Sequence, residues 1–157
     1  MATIPNLWPE ETVSVAAVSP LAILRIQAEN LTRMTQGLLK GDIVTSSYTA
    51  RVQHSFDIVA PALNGYRHRI LTITHDQSLI YPVFFSADEV EEEGTDPQMN
   101  RLARSAFSEA EFIKMLSDAL QSGYVRSVVN SLIARSNETR AEIETIETAA
   151  PERLQPV

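Results

Sequence analysis

Apolar residues recur every three to four positions after residue 19, a spacing typical of a helix buried along one face. Ser19 suits the N-cap, and Pro20 suits the first helical position, whose N–H has no partner within a helix. Gly41 indicates where this helix ends. The predicted apolar stripe consists of Leu21, Leu24, Ala28, Leu31, Thr35 and Leu38.

After this helix the apolar period changes to two, as expected for half-buried strands. We predict short strands over residues 42–47 and 79–85 and longer strands over residues 51–60 and 66–75. An Asn-Gly pair at 64–65 lies between the longer strands and is typical of a tight β-hairpin. Consecutive strands with short connections predict a four-stranded antiparallel meander.

Two more helices are predicted near the C-terminus. Ser108 and Glu111 have the spacing of a capping box, and Phe107 and Phe112 stand at the positions that pack beside one. A Ser-Gly break at 122–123 separates this helix from the next. The predicted fold is therefore α+β, with an N-terminal helix, a four-stranded antiparallel meander and two C-terminal helices packed on one face of the sheet.

The chain divides into three predicted parts. Residues 1–18, which contain the only tryptophan, Trp8, are expected to form an extended arm that packs on the body, binds a partner or is disordered. Residues 19–137 are expected to form a single α+β domain, in which residues 86–106 are a mobile acidic loop or contain a short helix. Residues 138–157 are expected to be a polar, partly disordered tail.

The composition excludes several kinds of site and partner. The 157-residue chain has the apolar and charged fractions of a globular protein, 44% and 21%. It has no cysteine, which rules out disulfides, thiolate zinc sites and cysteine nucleophiles. The net charge of −7 makes nucleic acid an unlikely partner, and no apolar run is long enough for a membrane helix. We expect an acidic, cytoplasmic protein that has no membrane partner.

No catalytic motif is present in the sequence. Glycine-rich phosphate loops, a nucleophile elbow, a zinc-protease helix and a calcium loop are all absent. We therefore predict no catalytic residue and no cofactor, with a transition metal such as zinc as the alternative.

All three histidines fall on the two hairpin strands. A two-residue turn places His54 opposite His75, whereas a four-residue loop leaves them as diagonal neighbours on the same face. With Asp76 they form a candidate metal site, because imidazole and carboxylate are transition-metal ligands. The alternative is that both histidines cap the edge of the core. His68 is expected on the opposite face with Asp57.

Two surface features are further candidates. Arg67, His68 and Arg69 form a basic cluster that binds an anion or pairs with acidic side chains of the same chain. The last predicted helix has an apolar face broader than one stripe, which indicates a subunit contact. The candidate interface residues are Tyr124, Val125, Val128, Val129, Leu132 and Ile133.

These observations favour a non-enzymatic binding or assembly protein that acts through protein–protein surfaces as a homo-oligomer. The alternative is a small metal-dependent hydrolase or nuclease that uses the histidine pair, assisted by Asp76 or Asp57. A second alternative is a small-anion binder that uses a cavity between the sheet and the first helix, with Arg67 or Arg69 holding the anion.

Overall fold

The computed structural model describes residues 3–9, 18–87 and 104–153. Three helices and five strands occur in these ranges. The helices are α1 (Pro20–Met34), α2 (Glu109–Leu120) and α3 (Gly123–Arg153). The strands are β1 (Lys40–Tyr48), β2 (Arg51–Ala60), β3 (Tyr66–Asp76), β4 (Val83–Ala87) and β5 (Ser105–Ala106). No helix within the described ranges combines the length and the apolar character needed to cross a membrane.

The five strands form one antiparallel sheet in the order β1-β2-β3-β4-β5. The α+β class, the antiparallel sheet and the two C-terminal helices are as predicted. β4 begins after Pro82, so the predicted strand over residues 79–85 starts too early. The fifth strand was not predicted, because it is only two residues long and adds to the edge of β4 through Val83 and Phe84. Isolated pairs of this kind leave no periodic signal in a sequence.

The two faces of the sheet have different chemistry. The inner face, which the helices cover, contributes Phe56, Ile58 and Ile70 to the core, where they meet buried residues of α1 and α2 such as Leu24 and Phe112. The outer face bears polar and charged side chains. Alternation along each strand separates the two sets, since successive side chains point to opposite faces.

The first helix ends earlier than predicted. It stops at Met34, and Gln36 (φ 52°) and Gly37 (φ 80°) then adopt the left-handed backbone conformation that turns the chain toward β1. Gly41 is therefore not the helix stop but a residue of β1. A Cβ at that position would lie 2.5 Å from the Ala28 Cα, so the glycine lets α1 pack directly on the sheet.

The start of α2 is as predicted. The Ser108 Oγ accepts a hydrogen bond from the Glu111 N–H at 3.3 Å, and the Glu111 Oε2 accepts one from the Phe107 N–H at 2.7 Å. These contacts satisfy backbone donors that the first turn of a helix leaves unpaired.

The last helix is longer than predicted. α3 continues to Arg153, so the segment expected to be a polar, partly disordered tail is helical over residues 138–153. The physical reason is that no glycine or proline occurs between Tyr124 and Ala150, and the segment is rich in alanine, glutamate and arginine, which are good helix formers.

Some of the predicted segments lie wholly or partly outside the described residues. Most of the expected acidic loop, over residues 88–103, is among them, as are residues 10–17 of the arm and residues 154–157. The described part of the arm, residues 3–9, has no regular secondary structure, and Trp8 is 73% exposed. The predicted packing of Trp8 on the body is therefore not found.

Candidate binding groove and the histidine pair

The connection between β2 and β3 is longer than the predicted turn. It comprises a 3-10 turn over Pro61–Leu63, followed by Asn64 (φ 59°) and Gly65 (φ 71°) in the left-handed region, five residues in all at 61–65. The Asn-Gly pair thus ends the loop and does not form it alone. Each change of one residue in loop length reverses the faces on which the partners of a hairpin lie.

A β-bulge in β3 corrects this reversal. The ladder pairs Asp57 with Arg69 but Phe56 with Leu71, so Ile70 is an extra residue that faces no partner of its own. Ile70 and Leu71 are both buried as a result. Beyond the bulge, β2 and β3 therefore both keep their apolar residues, such as Phe56, Leu71 and Ile73, on the inner face.

The bulge decides where each histidine lies. His54 pairs with Ile73 and not with His75, so the two histidines are diagonal neighbours on the inner face. The prediction that they face each other across a two-residue turn is wrong, and the diagonal alternative is confirmed. His68 pairs with Ile58 and lies on the inner face, where its Nε2 is 2.9 Å from the Tyr124 hydroxyl. Its predicted place on the outer face is wrong because it lies on the loop side of the bulge.

His54 and His75 are linked by a chain of hydrogen bonds. Their Nε2 atoms are 3.1 Å apart, the His54 Nδ1 is 2.8 Å from the Thr45 Oγ1, and the His75 Nδ1 is 2.7 Å from the Asp76 carbonyl oxygen. A carbonyl oxygen only accepts, so the His75 Nδ1 carries a proton. With both rings neutral, the His54 Nε2–H donates to the His75 Nε2, and the Thr45 hydroxyl donates to the His54 Nδ1.

The neutral state of His54 is favoured by its surroundings. Burial, the neighbouring His75 and the charge of Arg25 lower the pKa of His54 from 6.5 to about 4. Within the described ranges no three His, Cys, Asp or Glu side chains come together as metal ligands. The hydrogen bond that Asp76 makes to His75 uses its main-chain oxygen. Even one nitrogen from each ring would give two ligands, fewer than the three protein ligands of a catalytic zinc site.

The predicted anion site is divided between the two faces of the sheet. Arg67 and Arg69 lie on the outer face, where both bind the buried Asp57, at 3.1 Å and 2.9 Å, and Arg67 also binds Asp42 at 2.7 Å. Burial raises the pKa of the Asp57 carboxyl, but the hydrogen bonds and charges of the arginines outweigh it, and the net pKa lies below its ordinary value. These arginines pair with carboxylates of the same chain, and neither lines a cavity between α1 and the sheet.

The candidate interface residues contribute mainly to the chain's own core. Val125 and Leu132 are buried, and their neighbours Val128, Val129 and Ile133 are partly buried against the core. Most of this apolar face therefore packs on the core of the same chain, and its role as a subunit contact stays a prediction. Only the Tyr124 side chain is exposed, at 38%.

A groove opens on the inner face of the sheet, between α1 and α2. We call it the α1–α2 groove; its volume is about 780 Å³. Phe56, Ile58 and Ile70 line it from the sheet, and the beginning of α3 contributes Val125 and Val129. The helices supply most of the remaining apolar lining, including Ile26, Leu31, Met34, Ile113, Leu116 and Leu120.

Large apolar side chains at this groove remain exposed to solvent. Met34 is 79% exposed, Ile26 52% and Ile113 47%. The sequence signal that could have revealed the groove is the placement of Ile26 and Met34, which lie eight residues apart beside the predicted stripe of α1. Such residues widen a helix's apolar face beyond the part that the core covers.

Hydrogen bonds hold the chain at one end of the groove. The Val18 N–H donates to the Glu109 Oε2 at 3.1 Å, and the Tyr81 hydroxyl donates to the Val18 carbonyl oxygen at 3.3 Å. Burial, with a contribution from the Glu109 charge, raises the pKa of Tyr81, which keeps the hydroxyl protonated as a donor. Glu109 begins α2 and Gln121 follows its last residue, so the groove extends along the whole of α2.

Comparisons of the chain with protein-family models, with curated proteins and with solved structures gave no match. What the protein does is therefore inferred from the chemistry of these three places: the histidine pair, the outer ion pairs and the α1–α2 groove.

Proposed function

We propose that this protein is a non-enzymatic binding protein that acts through protein–protein contact, and that its α1–α2 groove holds an apolar segment of a polypeptide. The observation that carries this proposal is the groove itself, whose exposed apolar walls are the kind of surface that marks an interaction site. Its volume of about 780 Å³ is within the range of known binding pockets.

The polar residues of the groove favour a polypeptide over a purely apolar ligand. Four of the lining side chains are amides, each with a donor and an acceptor: Gln27, Asn30, Gln121 and Asn130. A peptide backbone presents one donor and one acceptor at each non-proline residue, so amide side chains at the border of an apolar groove match it.

The rival functions have less support. A metal-dependent hydrolase needs imidazole nitrogens that are available to a metal, whereas the hydrogen bonds of His54 and His75 use all four ring nitrogens. The two arginines assigned to a small-anion site, Arg67 and Arg69, lie on the other face of the sheet and bind Asp57, so that assignment loses its support.

Binding of a labelled probe peptide to two matched variants tests the proposal. The probe is a fluorescein-labelled decapeptide of alternating leucine and serine, and its anisotropy is measured during titration with the protein. Ile113→Lys puts a charge into the groove at a residue that is 47% exposed, and Ile143→Lys makes the same change on α3 at a residue that is 49% exposed and outside the groove.

We expect Ile113→Lys to weaken probe binding at least about tenfold, because an apolar probe that enters the groove would have to displace water from the new charge. Ile143→Lys should bind like the unmodified protein. Equal affinities for the two variants, or no binding of the probe to any form of the protein, would show that the groove is not the binding site.

A further inference from the structure

We infer that the groove of one copy is occupied by residues 3–9 of a second copy, so that the protein assembles by exchanging N-terminal segments. We call residues 3–9 the N-terminal segment. This inference rests on the proposed function of the groove and names its occupant, a short apolar stretch of this same chain.

The N-terminal segment has the chemistry that the groove requires. Its large side chains are exposed in the single chain: Ile4 81%, Leu7 81% and Trp8 73%. None of its seven residues is charged, so it can enter an apolar site without removing an ion from water. Tryptophan is also one of the residue types enriched among those that contribute most of the binding energy at protein interfaces.

The segment is restrained before it binds. Pro5 and Pro9 fix the backbone φ angle at two of its seven positions, and the Trp8 N–H donates to the Asn6 Oδ1 at 3.1 Å. A segment with fewer conformations to lose is ordered at a lower entropic cost when it binds. The restraint therefore favours a docking segment over a spacer.

Chain length permits the exchange between copies. The hydrogen bonds of Val18 hold the chain at the end of its own groove, and the ten steps from Val18 back to Trp8 reach up to about 33 Å. The fifteen residues of α1 extend over only about 22 Å. The N-terminal segment can thus extend beyond its own groove to the groove of a neighbour.

In the single chain the N-terminal segment and the α1–α2 groove are both exposed, and in a pair of chains each covers the other. A twofold pair uses the contact twice, because each copy offers one segment and one groove. Six large apolar side chains, three from each segment, are then withdrawn from water together with the two grooves. This reciprocity is why a second copy fits the groove better than an unrelated partner does.

Cysteine crosslinking tests the exchange directly, because the natural chain has no cysteine. Leu7→Cys and Ile113→Cys are made in separate chains of different tagged mass, mixed and oxidised. We expect a disulfide-linked heterodimer at a yield at least about fivefold above the control mixture. The control pairs Leu7→Cys with Ile143→Cys, which is equally exposed but outside the groove.

Fluorescence supplies a second readout, because Trp8 is the only tryptophan. Its emission maximum should shift to shorter wavelength as the protein concentration rises and the side chain enters the groove of another copy. Trp8→Ser should lower the fraction of dimer in native mass spectra and strengthen binding of the leucine–serine probe, because the groove is then vacant more often.

The outcomes separate this inference from the proposed function. Equal crosslinking in the two mixtures would overturn the exchange. So would a further variant that carries both Leu7→Cys and Ile113→Cys, if its disulfide formed only within one chain. If the probe still distinguishes Ile113→Lys from Ile143→Lys, the proposed function stands without the exchange. If Trp8→Ser exposes no probe binding either, the proposed function fails as well.

Discussion

The two faces of the sheet contrast in how completely their side chains are satisfied. On the outer face, Asp57 is almost fully buried and is held by two arginines, so a group that looks reactive in the sequence is already paired. On the side of the inner face, apolar residues of the covering helices, such as Met34 and Ile113, remain exposed to solvent around the groove. The comparison teaches that, in this protein, unsatisfied apolar surface identifies a candidate site better than charged residues do.

The histidine pair resembles the outer face in this respect, although it lies on the inner one. Each of its ring nitrogens has a hydrogen-bond partner, and the chain of bonds ties together Thr45 of β1, His54 of β2 and His75 of β3. The role that the geometry supports for these residues is to join strands at one end of the core.

The largest effect on stability is expected from Gly41→Ala, which disturbs the packing of α1 on the inner face. The new Cβ would meet the backbone of Ala28 at 2.5 Å, so α1 must move away from the sheet. We expect the free energy of unfolding to fall by about 3 kcal/mol, measured by urea denaturation. Probe binding should change too, because α1 is one wall of the groove.

Gly123→Ala is the control, since nothing lies within 4 Å of its Cβ, and a loss of stability equal to that of Gly41→Ala would contradict this account.

The next largest effect on stability is expected from Asp57→Asn, which breaks the ion pairs of the outer face. The neutral amide keeps the shape of the side chain but removes the charge that both arginines bind, and Asp57 is only 1% exposed. Because the arginines are themselves half exposed, we expect a loss of about 2.5 kcal/mol in the free energy of unfolding. Asp42→Asn, at an exposed carboxylate, should cost less than about 1 kcal/mol.

Asp57→Asn also tests whether the two faces are independent. Probe affinity should stay within about twofold of the unmodified value, because no residue of this ion-pair cluster lines the groove. An affinity loss as large as that of Ile113→Lys would mean that the faces are coupled.

A smaller effect is expected from pH, through His54. Its pKa of about 4 in the folded protein lies below the ordinary value of 6.5, so between these values the unfolded chain binds more protons. Stability should therefore decrease as the pH falls, by about 2 kcal/mol between pH 7 and pH 5 for this group. Denaturation curves at the two pH values should show this loss of stability in the unmodified protein and in His68→Gln, but a smaller loss in His54→Asn. An equal loss of stability in His54→Asn would show that His54 is not the source of the pH dependence.

Much of the fold could be predicted because its signals are local. The limits of β2 follow from alternation over residues 51–60, and the start of α2 follows from Ser108 and Glu111. The beginning of α1 follows in the same way from Ser19, whose Oγ accepts a hydrogen bond from the Ala22 N–H at 3.2 Å. Each of these features depends on residues a few positions apart, and the sequence contains them directly.

The candidate site could be predicted only in part. The sequence placed His54 and His75 on neighbouring strands and correctly allowed a diagonal arrangement. It did not reveal the bulge at Ile70, which decides the face that His68 occupies, because a bulge depends on how two strands and a loop of odd length fit together. It also did not reveal that Val125 and Leu132, on the apolar face of α3 assigned to a subunit contact, are buried within the chain; the subunit contact itself stays a prediction.

The sequence by itself therefore determined the three helices and four of the five strands, their order and most of their apolar faces, since these depend on short-range periodicity and capping. Only the tertiary structure decided which apolar residues are covered. The spacing of α1 from the sheet depends on the contact between Gly41 and Ala28, and the α1–α2 groove depends on how far apart two helices from opposite ends of the chain come to rest. Such distances arise from the packing of many side chains at once, and no short stretch of sequence encodes them.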